Sequence, residues 1–485
     1  MTEREDNYMT TSTIDIAGLE AARVSVTPEQ IDDLRSRVEG PLLHPGDAGW
    51  DEAVLVWNGM VAKVPALVVQ PTSAHDVAEA VGFARDSGLL LSIKGGGHNI
   101  AGTSIAERGL TLDMSRMRDV TVDPDAKLAH VGPGCLLHDV DQATQEHGLA
   151  TVLGFISETG VAGLTLGGGL GYLTRRFGWA VDNLEEVELV TADGQIRTAN
   201  RDENAELFWA LRGGGGNFGV VSRFTFRLHE VGPTVYGGLI AWPFERATEI
   251  LQTYRTLTAG APRELTVFLI LMQAPPAPFV PQEWHGKRIC AMSVCYSGNL
   301  DDADKVVAPI RALGDPVVDL LREQPYVELQ SYLDDGEPKG SHYYWKTEFV
   351  AELSEDLLSA ARDLFAACPI PDGQLGFLHL GGALNDREED DGAVGNRDAR
   401  FAFGANGMWE PDEPDADMFR QWIRAAWKRL RPFSTGGNYI NFQTADNDQA
   451  PADAYGKNYE RLQRVKAEYD PDNLFRVNRN IASAR

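Results

Sequence analysis

The sequence predicts an α+β fold divided into more than one domain. A length of 485 residues exceeds what a single hydrophobic core usually covers. Predicted strands and helices are mixed, without the regular alternation that marks a doubly wound sheet. Three long glycine clusters all precede Gly232, where the character of the chain changes. We therefore divide the chain into a tail and helix at 1–46, a first domain at 47–232, a second domain at 233–435 and a C-terminal segment at 436–485.

The N-terminal elements carry recognisable start signals. Residues 1–20 are polar and acidic, and we expect a loose tail there. Thr27 and Pro28 form an N-cap and first-turn pair for the helix that follows. Ser73 begins a second helix in a capping-box-like sequence, and Gly88 ends that helix.

A glycine loop follows the second helix and a strand. The apolar run at 89–93 predicts a buried strand that leads into residues 94–98, which read Lys-Gly-Gly-Gly-His. Consecutive glycines let backbone N–H groups approach a phosphate or a flat ring closely. Further clusters lie at 167–171 and 213–219. One such cluster predicts only a turn, but three of them indicate an extended cofactor that lies along the backbone.

Short strands and helices fill the rest of the first domain. Asp193 and Gly194 form a strong two-residue hairpin turn. The strand predicted at 219–228 alternates, which places Val220 and Phe224 on one face. Other strands are predicted at 110–113, 120–122, 128–131, 187–191 and 195–199, and helices at 136–147 and 203–211.

The second domain is predicted from a simpler pattern. Strands are expected at 265–272 and 288–296, and helices near 353–368 and 416–430. An acid-rich loop at 385–397 interrupts the domain. No motif in this region identifies a substrate.

The composition excludes several classes of protein. A formal net charge of −27 argues against sequence-independent nucleic-acid binding, which needs clustered lysine and arginine. No apolar run reaches transmembrane length, so no membrane partner is expected. The ten histidines show no metal-ligand spacing, and no metal is expected.

The cysteines and the N-terminus indicate where the protein works. Cys135, Cys290, Cys295 and Cys368 form no CxxC pair, and we expect them to be reduced core residues. The spacing of Cys290 and Cys295 places them on opposite faces of a strand. No basic stretch followed by an apolar one begins the chain, so no signal peptide is expected. These features predict a cytoplasmic protein.

The familiar nucleotide and nucleophile motifs are absent or misplaced. Gly214, Gly216 and Gly219 match GxGxxG, but a helix precedes them and a strand follows, the reverse of a Rossmann site. Neither a GxxxxGK[ST] loop nor a GxSxG elbow occurs. NAD-binding, P-loop and α/β-hydrolase functions are therefore not supported.

The order of the motifs resembles the FAD-binding domain of the vanillyl-alcohol-oxidase superfamily. The C-terminal motifs resemble the terminal segment of its berberine-bridge-enzyme-like oxidases, and among bacterial relatives the chain is most similar to the 6-hydroxy-D-nicotine oxidase branch. The resemblance covers about residues 50–232 and 436–485 well and the middle weakly. The matching segments are 95–99, 131–134, 159–169, 209–221, 455–462, 469–475 and 478–481.

This resemblance implies a two-part, PCMH-type FAD-binding domain, formed by 47–232 and 436–485, with an inserted α+β substrate domain. FAD would lie extended, with its pyrophosphate on the backbone around Lys94–Gly97 and Gly102–Thr103. Gly160, Gly163 and Thr165 would line the flavin, and Gly219–Val221 would contact the adenine half. The implied cofactor-binding residues are Lys94, Gly95, Gly96, Gly97, His98, Asn99, Gly102, Thr103, Gly160, Gly163, Thr165, Gly168, Gly219, Val220, Val221, Asn478 and Asn480.

His98 falls where relatives bind the flavin 8α-methyl group covalently. A neutral imidazole can attack an activated flavin methyl, and the bond raises the flavin potential. Some relatives add a second link from a cysteine, but that position here is Ile156. The resemblance therefore implies one covalent link, through His98. Binding of FAD without any bond remains the alternative.

Tyr439 is the candidate catalytic base. Residues 438–442 resemble the Tyr-x-Asn stretch of the family, in which Asn441 accompanies the tyrosine. A phenol has a usual pKa of about 10 and must be lowered to act as a base near neutrality. Tyr439 could instead serve only to shape the site. Berberine-bridge enzymes use a glutamate from the second domain, and the corresponding stretch at 381–401 is too diverged to place one.

The resemblance implies an FAD-linked oxidase acting on a small organic substrate such as an alcohol, sugar, amine or phenolic alkaloid. A substrate C–H would give hydride to flavin N5, and electrons would pass to O2. Two alternatives stay open: a dehydrogenase of the same fold that uses another acceptor, and an FAD-fold protein that only binds ligand.

The surface charge leads to a first prediction. Ten lysines and a charge of −27 suit a protein that works in concentrated salt, although a GC-rich genome also replaces lysine. We expect the melting temperature and activity to rise between 0.01 M and 1 M salt, because the Debye length falls from about 30 Å to about 3 Å. Thermal unfolding across this range is the measurement. An unchanged melting temperature would indicate that the low lysine content reflects a GC-rich genome and not adaptation to salt.

Overall fold

The computed structural model describes residues 13–20, 22–446 and 451–484. The strands are β1 Ile14–Ala17, β2 Arg23–Val26, β3 Leu42–Leu43, β4 Leu67–Val69, β5 Leu91–Lys94, β6 Leu110–Asp113, β7 Val120–Asp123, β8 Leu128–Val131, β9 Leu149–Ala150, β10 Leu184–Val190, β11 Ile196–Asn200, β12 Val220–Arg227, β13 His229–Glu230, β14 Thr234–Pro243, β15 Leu265–Gln273, β16 Arg288–Tyr296, β17 Val318–Asp319, β18 Arg322–Pro325, β19 His342–Val350, β20 Asp372–His379 and β21 Phe401–Trp409. The α-helices are α1 Pro28–Arg37, α2 Trp50–Val54, α3 Ala74–Asp86, α4 Leu137–Gln145, α5 Val161–Leu166, α6 Thr174–Phe177, α7 Ala205–Leu211, α8 Ala247–Gly260, α9 Ala303–Arg311, α10 Tyr326–Gln330, α11 Glu355–Ala366, α12 Ala416–Leu430, α13 Pro451–Tyr455 and α14 Tyr459–Tyr469.

Two larger sheets build most of the first part of the molecule, beside the two-stranded sheets β1-β2 and β13-β9. A four-stranded sheet has the order β3-β4-β6-β5, with β5 and β4 parallel to β6. A five-stranded antiparallel sheet has the order β11-β10-β12-β8-β7. The C-terminal segment contributes Leu462 and Ile481 to the core beside the five-stranded sheet, and Phe475 to the core beside the four-stranded one.

A large antiparallel sheet dominates the second part. Its main order is β17-β14-β16-β15-β20-β21-β19, and β18 also pairs with β14. Helices α8, α9, α11 and α12 contribute side chains to the core on one face. The opposite face turns toward the first part of the molecule and forms a wall of the cavity described below.

Several predicted elements match the structure, and the predicted N-terminal tail does not. Thr27 and Ser73 cap α1 and α3, and Gly194 has a φ of +81° in the hairpin turn. The loose tail predicted at 1–20 is wrong at its end, because Ile14–Ala17 pairs with β2 as a strand. Residues 1–12 lie outside the described residues.

The predicted face of β12 is also wrong. The register shifts between its pairs with Glu188 and Leu189, which leaves Ser222 as the extra residue of a bulge. Val220 therefore packs in the core of the four-stranded sheet, whereas Phe224 packs in the core of the five-stranded sheet. A bulge reverses the alternation of side chains, and the periodicity of the sequence did not reveal it.

The four cysteines are buried and free of disulfides. Cys290 lies in the core of the large sheet and Cys295 lies on its opposite face, as predicted. Burial raises the pKa of each thiol, to about 12 for Cys295. These side chains are therefore packing groups rather than reactive thiolates.

A buried ion pair joins the two parts of the molecule. The carboxylate of Asp182, 2% exposed as a residue, accepts hydrogen bonds of 2.7 and 2.8 Å from both terminal nitrogens of Arg397. It also accepts the backbone N–H of Trp179 at 2.8 Å. Removing one partner of such a pair leaves a buried charge, which destabilises a fold by about 3–5 kcal/mol.

Candidate active site

The glycine loop after β5 presents its N–H groups to a cavity. The carbonyl oxygens of this loop accept hydrogen bonds from other parts of the protein. The N–H of Trp57 donates to the Gly97 carbonyl at 3.0 Å. The side chain of Asn58 donates to the Ile100 carbonyl at 2.9 Å, and that of Lys63 donates to the Gly102 carbonyl at 2.8 Å. Within the described residues, the N–H groups of 96–99 have no hydrogen-bond acceptor. Successive free N–H groups of this kind form a site for an anion such as a pyrophosphate.

Gly96 touches the start of α5 backbone to backbone. A Cβ on Gly96 would lie 2.5 Å from the nitrogen of Gly160, and a Cβ on Gly160 would lie 2.3 Å from the nitrogen of Gly96. Neither position can carry a side chain without moving the chain. The contact fixes the glycine loop against α5, which forms the adjoining wall of the cavity.

Helix α5 offers open space and a free hydroxyl. A Cβ on Gly163 would meet nothing within 4 Å in the described part of the chain, and Gly163 lines the cavity. The hydroxyl of Thr165 is buried and lacks a partner among the described residues. A flat ring system would use the open face at Gly163, whereas Thr165 is buried outside the cavity wall.

His98 lies in an aromatic stack. Its ring is 4.1 Å from that of Trp57, at an interplanar angle of 14°, and Trp57 stacks in turn on Tyr343 at 3.7 Å. The Nε2 atom of His98 is buried without a partner in the described structure. Burial lowers the pKa of His98 to about 4, so the imidazole is neutral at physiological pH. A neutral, fixed and unpartnered imidazole is suited to nucleophilic attack.

One cavity of about 880 Å³ joins the glycine loop, α5 and the large sheet. Many predicted site residues line it together. They are Gly95, Gly96, Gly97, His98, Asn99, Thr103, Gly160, Gly163, Tyr439, Asn441 and Asn478.

Other predicted site residues lie away from the cavity wall. The amine of Lys94 donates to the carbonyl of Ala53 at 2.9 Å and lies 3.3 Å from Asp113, so its side chain is a structural group. Val220 and Val221 are buried in the two cores. The other predicted residues outside the wall are Gly102, Thr165, Gly168, Gly219 and Asn480, whereas Gly215, Gly216 and Asn217 of the same cluster line it.

Tyr439 and Asn441 form a hydrogen-bonded pair at the wall. The hydroxyl oxygen of Tyr439 accepts the side-chain N–H of Asn441 at 2.9 Å and the backbone N–H of Gly169 at 3.1 Å. The ring stacks on Trp179 at 5.8 Å and meets Phe442 edge-on at 4.8 Å. Burial raises the pKa of Tyr439 to about 12, although both donors oppose that rise. The protein groups alone therefore do not provide the lowered phenol pKa that a base at neutrality needs.

Glu337 is a cavity residue that no sequence pattern indicated. Its carboxylate oxygen Oε2 is buried, with no partner in the described residues, and the side chain lines the cavity. Burial raises the pKa of Glu337 to about 8, which keeps the group protonated at neutral pH. Its backbone carbonyl accepts the indole N–H of Trp57 at 3.0 Å, which places it beside the His98 stack. It lies in a loop with neither periodicity nor motif, so only tertiary contact reveals it.

These features define a class of FAD-binding flavoprotein. The free N–H groups suit a pyrophosphate, and the open face of α5 with the His98 stack suits a flavin. Residues 65–200 match the FAD binding domain family, and residues 438–482 match the berberine and berberine-like family. The chain belongs to the berberine-bridge-enzyme-like FAD-linked oxidoreductases of the vanillyl-alcohol-oxidase superfamily, and it is an FAD-dependent oxidoreductase.

Similar proteins cover nearly the whole chain. An FAD-linked oxidoreductase of Dictyostelium discoideum is 32% identical over 93% of this chain and 96% of its own length. The (R)-6-hydroxynicotine oxidase of Paenarthrobacter nicotinovorans is 30% identical, over 92% and 97%. The solved structure of 6-hydroxy-D-nicotine oxidase from Arthrobacter nicotinovorans has a TM-score of 0.82 at 27% identity, over 92% of this chain and 98% of that one.

Filling the open space beside α5 tests the cofactor site. Gly163→Leu should project into the cavity and lower the retention of FAD by at least tenfold, because the side chain would occupy the space of the ring. Gly82→Leu is the control: Gly82 also has open space around its Cβ position in the described structure, but it lies in α3, outside the cavity wall. The flavin-to-protein absorbance ratio is the measurement. Equal ratios in the two variants would place FAD elsewhere.

Proposed function

We propose that this protein is an oxidase that removes a hydride and a proton from a small organic substrate and uses O2 as acceptor. The observation that supports the proposal is the single cavity that joins the glycine loop to Tyr439 and Asn441 beneath the large sheet. In this proposal residues 47–232 and 436–485 hold FAD, and residues 233–435 bind the substrate.

The chain would hold FAD through its backbone. The free N–H groups of 96–99 would bind the pyrophosphate, and the Gly163 face of α5 would lie along the ring. Bound FAD supplies a hydride acceptor and returns the electrons to dioxygen. The protein positions the reacting carbon and accepts the proton.

Tyr439 would accept that proton in its ionised form. The N–H groups of Asn441 and Gly169 both point at its oxygen, which stabilises negative charge there. Because its pKa is raised, only a very small fraction of Tyr439 is ionised at pH 7. The proposal therefore requires a rate that rises with pH.

His98 would form one covalent bond to the flavin. Its unpartnered Nε2, its stack on Trp57 and its neutral state support this role. Ile156 lies on the cavity wall where some relatives carry a second bonding cysteine, and it offers no thiol. The bond would raise the flavin potential, which helps hydride transfer from a weak donor.

The two alternatives differ in what they do with electrons. A dehydrogenase would bleach its flavin with substrate but consume little oxygen. A protein that only binds ligand would not bleach at all. Oxygen uptake beside anaerobic flavin bleaching distinguishes these outcomes.

We place the protein in the cytoplasm because its four buried cysteines are free of disulfides. No helix in the described ranges is both long and apolar enough to cross a bilayer.

Removing the imidazole tests the covalent link. We expect the native protein to keep its yellow colour after acid precipitation, and His98→Ala to release its FAD under the same treatment. The variant should still bind FAD when folded, because the N–H groups that would hold the pyrophosphate belong to the backbone. Mass spectrometry of the flavin peptide identifies the bonded residue. A flavin bound through cysteine, or native protein that releases all its FAD, would contradict the single link.

Removing one hydroxyl tests the base. Tyr439→Phe should slow anaerobic flavin reduction by about 10²–10⁴-fold and change substrate binding little. In the native enzyme the reduction rate should rise about tenfold per pH unit up to the pKa, because only the ionised phenol accepts the proton. This slope should disappear in the variant.

Tyr236→Phe is the matched control, since that hydroxyl accepts a hydrogen bond from Arg311 outside the cavity wall. Stopped-flow reduction measures both variants. A loss smaller than about threefold in Tyr439→Phe would remove Tyr439 from the chemistry and direct attention to Glu337.

A further inference from the structure

The cavity-facing side of the large sheet has a groove along one row of residues. Strand pairing aligns Thr347 with Gly404, Gly404 with Gly376, and Gly376 with Ile270. The row continues from Ile270 through Ala291 of β16 to Ala241 of β14. Residues opposite each other in adjacent strands point to the same face. The two glycines in the middle carry no side chain, so the sheet backbone forms the floor there.

The neighbouring rows form the sides of the groove. On one side lie Leu378 and Ala402, which are paired in register. On the other lie Gln374 and Asn406, also paired, and Met272 of β15 lines the cavity as well. Five strand spacings of about 4.8 Å separate β19 from β14, so the groove is about 24 Å long.

The two ends of the groove differ in chemistry. At the β14 end, residues 275–280 cover it with a proline-rich loop, together with Leu239, Ile289 and Val318. Phe279 of that loop is 44% exposed, a large apolar side chain at the surface. Along the strands of the large sheet, which lie wholly within the described residues, the cavity lining contains no ionisable side chain.

At the β19 end, the segment that carries the proposed base packs over the sheet. Phe442 packs edge-on against Trp345 at 5.3 Å, and Tyr439 packs against Phe349 at 6.5 Å, so the 439–442 segment lies over this end. The side-chain oxygen of Asn406 is buried and has no donor in the described structure. A buried acceptor without a partner is costly, so Asn406 makes this end of the groove polar.

We propose that the substrate is an elongated, uncharged, mainly apolar alcohol, whose reacting hydroxyl lies under the 439–442 segment and gives its proton to Tyr439, and whose tail lies along the glycine-floored groove toward the 275–280 loop. A charged ligand would find no counter-charge on these strands, and a sugar would leave most hydroxyls unpaired against an apolar wall. This inference rests on the proposed oxidase function. The alcohol loses a hydride from carbon and a proton from oxygen to give an aldehyde, and dioxygen gains two electrons and two protons to give hydrogen peroxide.

A series of substrates tests the length and polarity of the groove. Anaerobic flavin bleaching is followed with allyl alcohol, hexenol and dodecenol, beside xylobiose and an allylic alcohol of the same length that ends in an ammonium group. The ratio of bleaching rate to Kd should increase about three- to fourfold for each methylene buried. The ammonium compound should show no such increase over allyl alcohol. A long-chain primary amide, which does not react, gives the Kd from the change in flavin absorbance.

A charged variant locates the tail. Ile270→Glu should reduce the ratio for dodecenol at least tenfold more than the ratio for allyl alcohol, whereas Ile270→Leu should retain the preference for dodecenol. Ile196→Glu is the control, because Ile196 is 48% exposed on β11, away from the cavity. Retention of FAD shows that each variant is folded.

The outcomes separate the two proposals. If the ratio of bleaching rate to Kd does not depend on chain length, or is highest for xylobiose or the ammonium compound, the proposed apolar substrate is wrong. The proposed oxidase function is not affected by that result. An effect of Ile270→Glu that is equal for short and long alcohols also overturns the apolar substrate. Failure of every compound to bleach the flavin, with no binding of the amide, overturns both.

Discussion

The close approach of Gly96 and Gly160 is the constraint on which the site depends. Two backbone segments meet where a single Cβ on either side would overlap a backbone nitrogen of the other. The contact is continued by a bridge between Leu136 and Gly160 and by the N–H of Val161, which donates to Cys135 at 2.9 Å. The glycine loop is thereby fixed against α5, and its N–H groups are directed into the cavity rather than into secondary structure.

A second set of contacts connects this loop to the large sheet. The side chain of Asn58 accepts the N–H of Tyr343 at 3.1 Å and donates to the Tyr343 carbonyl at 3.1 Å. Gly59 approaches Gly340 so closely that a Cβ on it would lie 1.9 Å from the Gly340 oxygen. The stack of His98, Trp57 and Tyr343 lies directly beside these bonds. The environment that keeps His98 neutral is therefore built from both parts of the molecule.

Charge is distributed in opposite ways over the surface and the cavity. The chain carries a net charge of −27, but the strands of the large sheet present only neutral side chains to the cavity. Glu337, at the cavity wall, is protonated at neutral pH because burial raises its pKa to about 8. Desolvation disfavours a charge there while solvent and salt screen the charges outside. In this strongly acidic protein, the face of the large sheet that lines the cavity therefore carries no charged side chain.

The sequence by itself determined the α+β class, the glycine loop, the capped helices and the FAD-linked family, because each depends on local signals such as caps, turns and ordered motifs. It also identified His98 and the Tyr439–Asn441 pair, which the structure brings to one cavity. Only the tertiary structure showed that the Lys94 side chain pairs with Asp113 and does not line the cavity. It also showed that a bulge at Ser222 places Val220 in a different core from Phe224. Finally, it showed that Glu337 and Asn406 line the cavity with unpartnered oxygen atoms. These outcomes depend on strand register and on contacts between residues distant in the chain, and neither leaves a periodic pattern in the sequence.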